Sequence, residues 1–430
     1  MMKTMHFYEL DFDFVKSDDF INRWILFHVD SVDTTLKEFL KTIDVPYTSY
    51  AYARKNGFLS SKKVLDPIMD HFGLSLNFEQ DTFEALKDLV YRAITESYFI
   101  KVENLRVVHD ELAGYKDTVK GSPLYTLYAL AYLSAFDHFN MEQFKPEIED
   151  EILPFLEYMN NALSFDAQYF YLFSKVEYYF NVDRDDEAIG HIKDFERLDP
   201  YVNERLKTMG YFDLFTLYAL DENYARCLVY MEKCSELTFK YYNLERLKAI
   251  QQNKTAVLFN HESYEEALAN ARGDLLFIYR NDLQANRMFF KILIVIIVSS
   301  LIKLNRFNEA LKEANMFFDY ALDDYYGQGL LLKAFCYYKL EDMEGIHDIR
   351  AVQKAYESEG HDFPDRYYVL FDLIEMLARR KRSEMKTFGS TLKPYRYEQV
   401  YHYNRIAKLL EDEYAAYLKE IGSYIEVLDM

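Results

Sequence analysis

From about residue 160 onward the apolar and polar positions repeat one motif. An apolar helical stretch is followed by a short polar break, an aromatic residue or Asp, one or two acids, and a small residue that opens another apolar helix. The copies centre on Ala188, Cys227, Ala267, Ala310 and Gly345, with weaker ones at Met385 and Ala416, at spacings of 31 to 43 residues. That period is the length of two antiparallel helices and their turns. Such a pair buries its apolar face only by stacking on its neighbours, so the pattern predicts an array of helix pairs with a small residue where the two helices cross.

The N-terminal segment has a different rhythm. Residues 18–30, DDFINRWILFHVD, predict an amphipathic helix. Thr34 and Thr35 can cap a second, LKEFLKTI. Pro46 suits the first position of a third, PYTSYAYARK, which Asn56 and Gly57 end. Ser60 and Ser61 precede a fourth, KKVLDPIMDHF, that stops at Gly73. Four short helices with a tight turn between the second and third predict a compact helix-turn-helix bundle.

Composition agrees with an all-α fold. Glycine (13) and proline (8) are too scarce to supply the turns that a sheet protein needs, while Tyr (39) and Phe (34) abound and fit the wedges between stacked helices. The most apolar run, Met288 to Leu304, is broken by Lys291 and is shorter than a bilayer requires, so it is expected to be a buried helix and no membrane is expected as a partner. The first residues do not read as a secretory signal. The three cysteines lack metal-ligand spacing. These features predict a soluble, reduced, cytoplasmic chain with no cofactor. No glycine-rich phosphate loop, HExxH, CxxC pair or GxSxG is present, and the ten histidines are scattered, so no enzyme is expected.

Fifty basic residues against 71 acidic give a formal charge of −21, which opposes non-specific nucleic-acid binding by the whole molecule. Pro46 to Leu65 departs from that background, with Arg54, Lys55, Lys62 and Lys63 and not one acid. Leu36 to Asn77 resembles, without a gap, the helix-turn-helix of phage-repressor-type regulators. Phe39, Ile43, Val45, Tyr50 and Ala53 fall at its core positions, and Val64, Leu65, Ile68, Met69 and Phe72 at the closing helices. Gly73-Leu74-Ser75-Leu76 stands at the usual Gly-Val-Ser-Leu ending. Leu40 stands where that family prefers Ala, Arg54 where it has Glu, and Pro67 interrupts the fourth helix. By this resemblance Tyr47, Thr48, Ser49 and Tyr52 would meet base edges of double-stranded DNA. Arg54, Lys55, Lys62 and Lys63, with amides at the start of the fourth helix, would hold phosphates.

The repeat pattern is nearest to the tetratricopeptide repeat, best at Ala188, where Pro200 falls as that consensus has it, although the Trp and Gly of its first helix are missing. A helix-turn-helix domain at 1–78 followed by a right-handed tetratricopeptide-like solenoid at 79–430 resembles in architecture the peptide-sensing Rap, Rgg, NprR, PlcR and PrgX regulators. The resemblance implies a cytoplasmic homodimer that binds a short signalling peptide in the groove of its repeats and changes DNA binding. Side chains able to satisfy a peptide backbone in the middle repeats are Asn243, Arg246, Gln252, Asn253, Arg280 and Asn286. The alternative is an adaptor that does not bind DNA and sequesters a protein such as a response regulator.

Overall fold

The computed structural model describes residues 10–135, 145–182, 184–280, 287–316, 326–358 and 365–379, together with 413, 415 and 416. Every regular element among them is helical. The N-terminal helices are α1 (Asp18–Asp30), α2 (Leu36–Thr42), α3 (Tyr47–Asn56) and α4 (Lys62–Phe72). Next come α5 (Gln80–Tyr98), α6 (Val102–Leu112), α7 (Lys116–Val119), α8 (Tyr125–Ala135), α9 (Leu153–Met159) and α10 (Phe165–Asn181). The short α11 (Asp185–Ile189) and α12 (Ile192–Leu198) lead to α13 (Glu204–Leu220), α14 (Tyr224–Lys240) and α15 (Leu244–Asn260). The remainder are α16 (Tyr264–Arg280), α17 (Arg287–Lys303), α18 (Phe307–Ala314), α19 (Tyr326–Lys339), α20 (Met343–Ser358) and α21 (Asp365–Arg379).

One type of turn joins many successive helices. Asp44, Ile100, Glu222, Tyr242, Glu262, Asn305 and Glu341 all have φ between 55° and 62°. In each case the next residue's N–H returns to a carbonyl five positions back, as from Asn223 to Tyr218 (2.8 Å), Ser263 to Leu258 (2.9 Å) and Val45 to Leu40 (2.9 Å). This is the Schellman closure, which satisfies orphan carbonyls at a helix end and is usually made with glycine. At several of these turns the residue after the left-handed one caps the next helix. The Asn223 side chain accepts from Arg226 N–H (3.3 Å), and that of Asp342 from Gly345 N–H (2.9 Å). After Glu222 and Glu341 the next helix thus begins two residues beyond the left-handed one, with no glycine needed at the turn.

The expected small residues sit at the helix crossings. Ala188, Cys227, Ala267 and Ala310 are fully buried, and a Cβ added to Gly345 would lie 2.3 Å from the Tyr337 ring. Pro200 lies in the 3-10 turn Asp199–Tyr201 that follows α12. Of the two weaker copies, Met385 lies outside the described residues and Ala416 is described beside only two others.

The abundant tyrosines bury their rings while donating to carboxylates of neighbouring helices. Tyr171 Oη donates to Glu157 (2.8 Å), and Tyr218 and Tyr230 both donate to Glu196 (2.8 and 2.9 Å). Burial, then Glu196, pushes the Tyr218 phenol up to about 12, so it remains a donor at neutral pH. The many acids of this chain therefore have an internal use.

The chain divides into two compact units, residues 1–250 and 251–430. Physically, the first helices are fastened to later helices of the same unit. Arg23 Nε on α1 donates to the Tyr158 carbonyl on α9 (2.6 Å), Tyr158 Oη donates to Asp30 (2.7 Å), and the Phe27 and Phe155 rings meet edge to face at 5.0 Å. Ser75 N–H reaches the Gly121 carbonyl (2.8 Å). In the second unit, Leu293 to Val298 of α17 are fully buried in a core with Ala267, Ala310, Leu331 and Phe371. The apolar run is thus a buried helix, and no described helix is long and apolar enough to cross a membrane.

Candidate functional site

The N-terminal bundle forms as its caps require. Thr35 and Glu38 make a reciprocal capping box at the start of α2. The left-handed Asp44 then turns the chain into α3, with Pro46 at the N-cap, one position before the one expected. The Pro46 carbonyl accepts from Ser49 and Tyr50 N–H (both 3.0 Å). Gly57 closes α3 at φ 96°, where a Cβ would crowd the Asn22 amide at 3.2 Å. Asn22 Oδ1 accepts the Phe58 N–H (2.7 Å), so α1 holds the corner between α3 and α4. Asn22 and Arg23 carry no sequence signal for these tasks, because their partners lie 36 and 135 residues away. Helix α4 runs through Pro67 without interruption, a correction to the sequence reading. Ser61 stands at its N-cap but makes no side-chain cap bond.

Phe39, Leu40, Val45, Tyr50, Ala53, Val64, Leu65 and Ile68 are buried, while Ile43, Met69 and Phe72 are partly so. The bulky Leu40 is accommodated inside the core. What remains outside on α3 is a continuous arc. Tyr47, Ala51 and Arg54 form one ridge and Thr48, Tyr52 and Lys55 the next, following helical neighbours three and four apart. Tyr47 is 60% and Tyr52 65% exposed, and Ser49 is partly covered. Lys62 and Lys63 are exposed at the start of α4. Arg54, Lys55, Lys62 and Lys63 make no ion pair with a described carboxylate. The structure thus brings all eight of these residues onto two successive helices of one bundle, with four cations able to meet an external anion.

His28 on α1 lies beneath this bundle, its ring against Trp24 (5.1 Å) and Phe72 (5.8 Å), with Nε2 lacking a hydrogen-bond partner among the described residues. Burial lowers its pKa from 6.5 to about 4. The unfolded ring takes a proton near pH 6.5 and the folded ring only near pH 4, so stability present above 6.5 is lost as pH falls through that window. The shift corresponds to roughly 3 kcal/mol. Chemical denaturation at pH 7.5 and 4.5 should show this loss in the wild type and most of it abolished in His28→Phe. An equal loss in both would assign the pH dependence elsewhere.

Of the residues expected to hold a peptide, Asn243, Arg246 and Asn253 have described side chains. Asn243 and Arg246 are 0% and 3% exposed, and their donors are engaged within the first unit. Asn243 Nδ2 and Arg246 Nε donate to the Tyr98 carbonyl (2.6 and 3.1 Å), and Arg246 Nη2 to that of Ser97 (2.7 Å). These two are corrected to structural ties, because the last carbonyls of α5 demand donors. Asn253 is partly exposed on α15. The side chains of Gln252 and Arg280, and Asn286 entirely, lie outside the described residues.

No protein-family model matches the chain, and no curated protein does. Solved structures do. A Rap protein complexed with competence and sporulation factor superposes with a TM-score of 0.54 at 15% identity, over 80% of this chain and 95% of that one. The apo form of RapI gives 0.57 at 13% identity over 80% and 95%, and the apo form of the quorum sensor NprR from B. thuringiensis 0.53 at 15% over 80% and 96%. The chain therefore shares their fold, an all-helical array of tetratricopeptide-like pairs.

Proposed function

We propose that this chain is a cytoplasmic, homodimeric transcription regulator that docks on double-stranded DNA through α3 and the start of α4, and responds to a short signalling peptide bound by its helix pairs. The observation that carries the DNA reading is the exposed, acid-free arc of Tyr47, Thr48, Tyr52, Arg54 and Lys55 beside Lys62 and Lys63, in a molecule of net charge −21. Side chains on α3 would meet base edges, and the four cations phosphates on either side. The peptide reading is supported by the shared fold with a Rap protein solved with a signalling factor and with the quorum sensor NprR.

The bonds between α1 and α9 give the mechanism a physical form. Because Arg23, Tyr158 and Asp30 join the bundle to the first repeats, a change of pitch there carries α3 with it as one body. In a dimer that motion alters the spacing of two recognition helices, on which half-site binding depends. The size of the response is limited by the peptide's preference for one state.

The test is fluorescence anisotropy of the full chain against DNA from its own upstream region and a scrambled control, at two salt concentrations. Salt-sensitive preference for the upstream fragment supports the proposal. A second reading, favoured by the exposed Tyr47 and Tyr52 because tyrosine is enriched in protein interfaces, is an adaptor that sequesters a protein partner. Absence of DNA binding together with a stoichiometric complex captured on the same face would establish it instead. For the peptide, Asn253→Ala is expected to weaken binding of the labelled peptide encoded beside the gene about tenfold while leaving the melting temperature unchanged. A fall in melting temperature would make Asn253 structural.

A further inference from the structure

A separate polar cavity of about 110 Å³ opens in the first unit between α9, α10 and α12. Its floor is anchored by Lys175, which is 8% exposed and donates to Glu157 Oε2 (2.6 Å), the oxygen that also accepts from Tyr171. Both bonds fall on one carboxylate oxygen, and Glu157 reaches solvent. Close by on the chain, Asn160 belongs to the lining. Across the cavity, Asp194 is held by His191 (3.1 Å), and Arg197 reaches it only at 3.5 Å. A guanidinium has five N–H donors, so Arg197 retains most of its capacity.

The lining therefore offers acceptors on one side, a cation on the other, and compensating formal charges: Glu157 and Asp194 against Lys175 and Arg197. That favours a zwitterion over an ion of either sign. Size narrows the choice, because a cavity of about 150 Å³ holds the six heavy atoms of benzene. A volume of about 110 Å³ takes four or five heavy atoms, which is the head group of an α-amino acid. The geometry points to a binding site for a free α-amino acid, whose ammonium meets the Glu157 carboxylate, whose carboxylate meets Arg197, and whose side chain faces the open mouth. This site is independent of the peptide and of the basic face, and would make the protein responsive to amino-acid supply.

Saturation-transfer NMR on the full chain with each of the twenty amino acids at millimolar concentration tests this directly, using alanine, alaninamide and N-acetylalanine for the head group. Transfer to alanine is expected, with at least tenfold weaker binding of both capped forms. Arg197→Gln and Glu157→Gln are each expected to lower the alanine affinity about tenfold. Arg197 is exposed, and the melting curve of its variant should match the wild type. The proposal is overturned by absence of transfer from every amino acid, by alaninamide binding as well as alanine, which would mark a peptide N-terminus as the ligand, or by unchanged affinity in both variants.

Discussion

Arg246→Met should lower the stability of the first unit by about 3 kcal/mol, seen as a fall of roughly 6–12 °C in melting temperature. Methionine retains much of the aliphatic volume, so the loss isolates the guanidinium. That group is enclosed, donates to the carbonyls of Ser97 and Tyr98, and lies 4.9 Å above the Phe212 ring. Both carbonyls belong to the last turn of α5, which has no further helical N–H to satisfy them. A cation at a helix C-terminus also opposes the negative end of the helix dipole. Removing Arg246 takes a donor from each carbonyl, while Ser97 O keeps the Ile100 N–H (3.2 Å) and Tyr98 O the Asn243 amide (2.6 Å). Burial lowers the Arg246 pKa, which measures how far the site depends on its hydrogen bonds to keep the charge inside. Asn243→Ala should couple to Arg246→Met, because both side chains serve the same carbonyl. An unchanged melt in Arg246→Met, with weakened peptide binding, would return this residue to the peptide and refute the structural assignment.

The same two residues show where the sequence was opaque. Asn243 and Arg246 resemble groove-lining amides and cations because nothing local distinguishes an outward polar side chain from one that caps a helix some 145 residues earlier. Their partners are backbone carbonyls, which leave no mark in side-chain chemistry. The turns were hidden for a related reason. Glu222, Tyr242, Glu262 and Glu341 adopt a conformation that glycine or asparagine usually announces, and only Asn305 gives that signal. What was legible rests on strong local rules. Thr34 and Thr35 marked the start of α2, helical periodicity α1, and the small residues at Ala188, Ala267, Ala310 and Gly345 the crossings. The fastening of α1 to α9 was hidden, because it depends on Arg23, Tyr158 and Asp30, which converge only in the fold.

Replacing Arg54, Lys55, Lys62 and Lys63 together by Ala should change the salt dependence of DNA binding more than any other substitution on this surface. Each phosphate neutralised on duplex DNA contributes about 0.9 to the slope of log affinity against log salt, so four contacts contribute about 3.6. The slope should become shallower by up to that amount, with affinity at low salt falling far more than at high salt. The fold should be unaffected, since all four side chains are exposed and unpaired with described carboxylates, and substitutions of that kind usually cost within about 0.5 kcal/mol each. The rest of the surface cannot compensate, because its excess of acids repels the same phosphates, though screening confines that repulsion to a Debye length of about 8 Å. Tyr47→Ala and Tyr52→Ala provide the contrast. Neither carries charge, so they should leave the slope unchanged while reducing the preference for the upstream fragment over the scrambled one. If the quadruple variant binds DNA with the wild-type slope, the basic face does not touch phosphate. Loss of a protein complex in that same variant would then identify the face as a protein-docking surface, in which the missing acids avoid repelling an acidic partner.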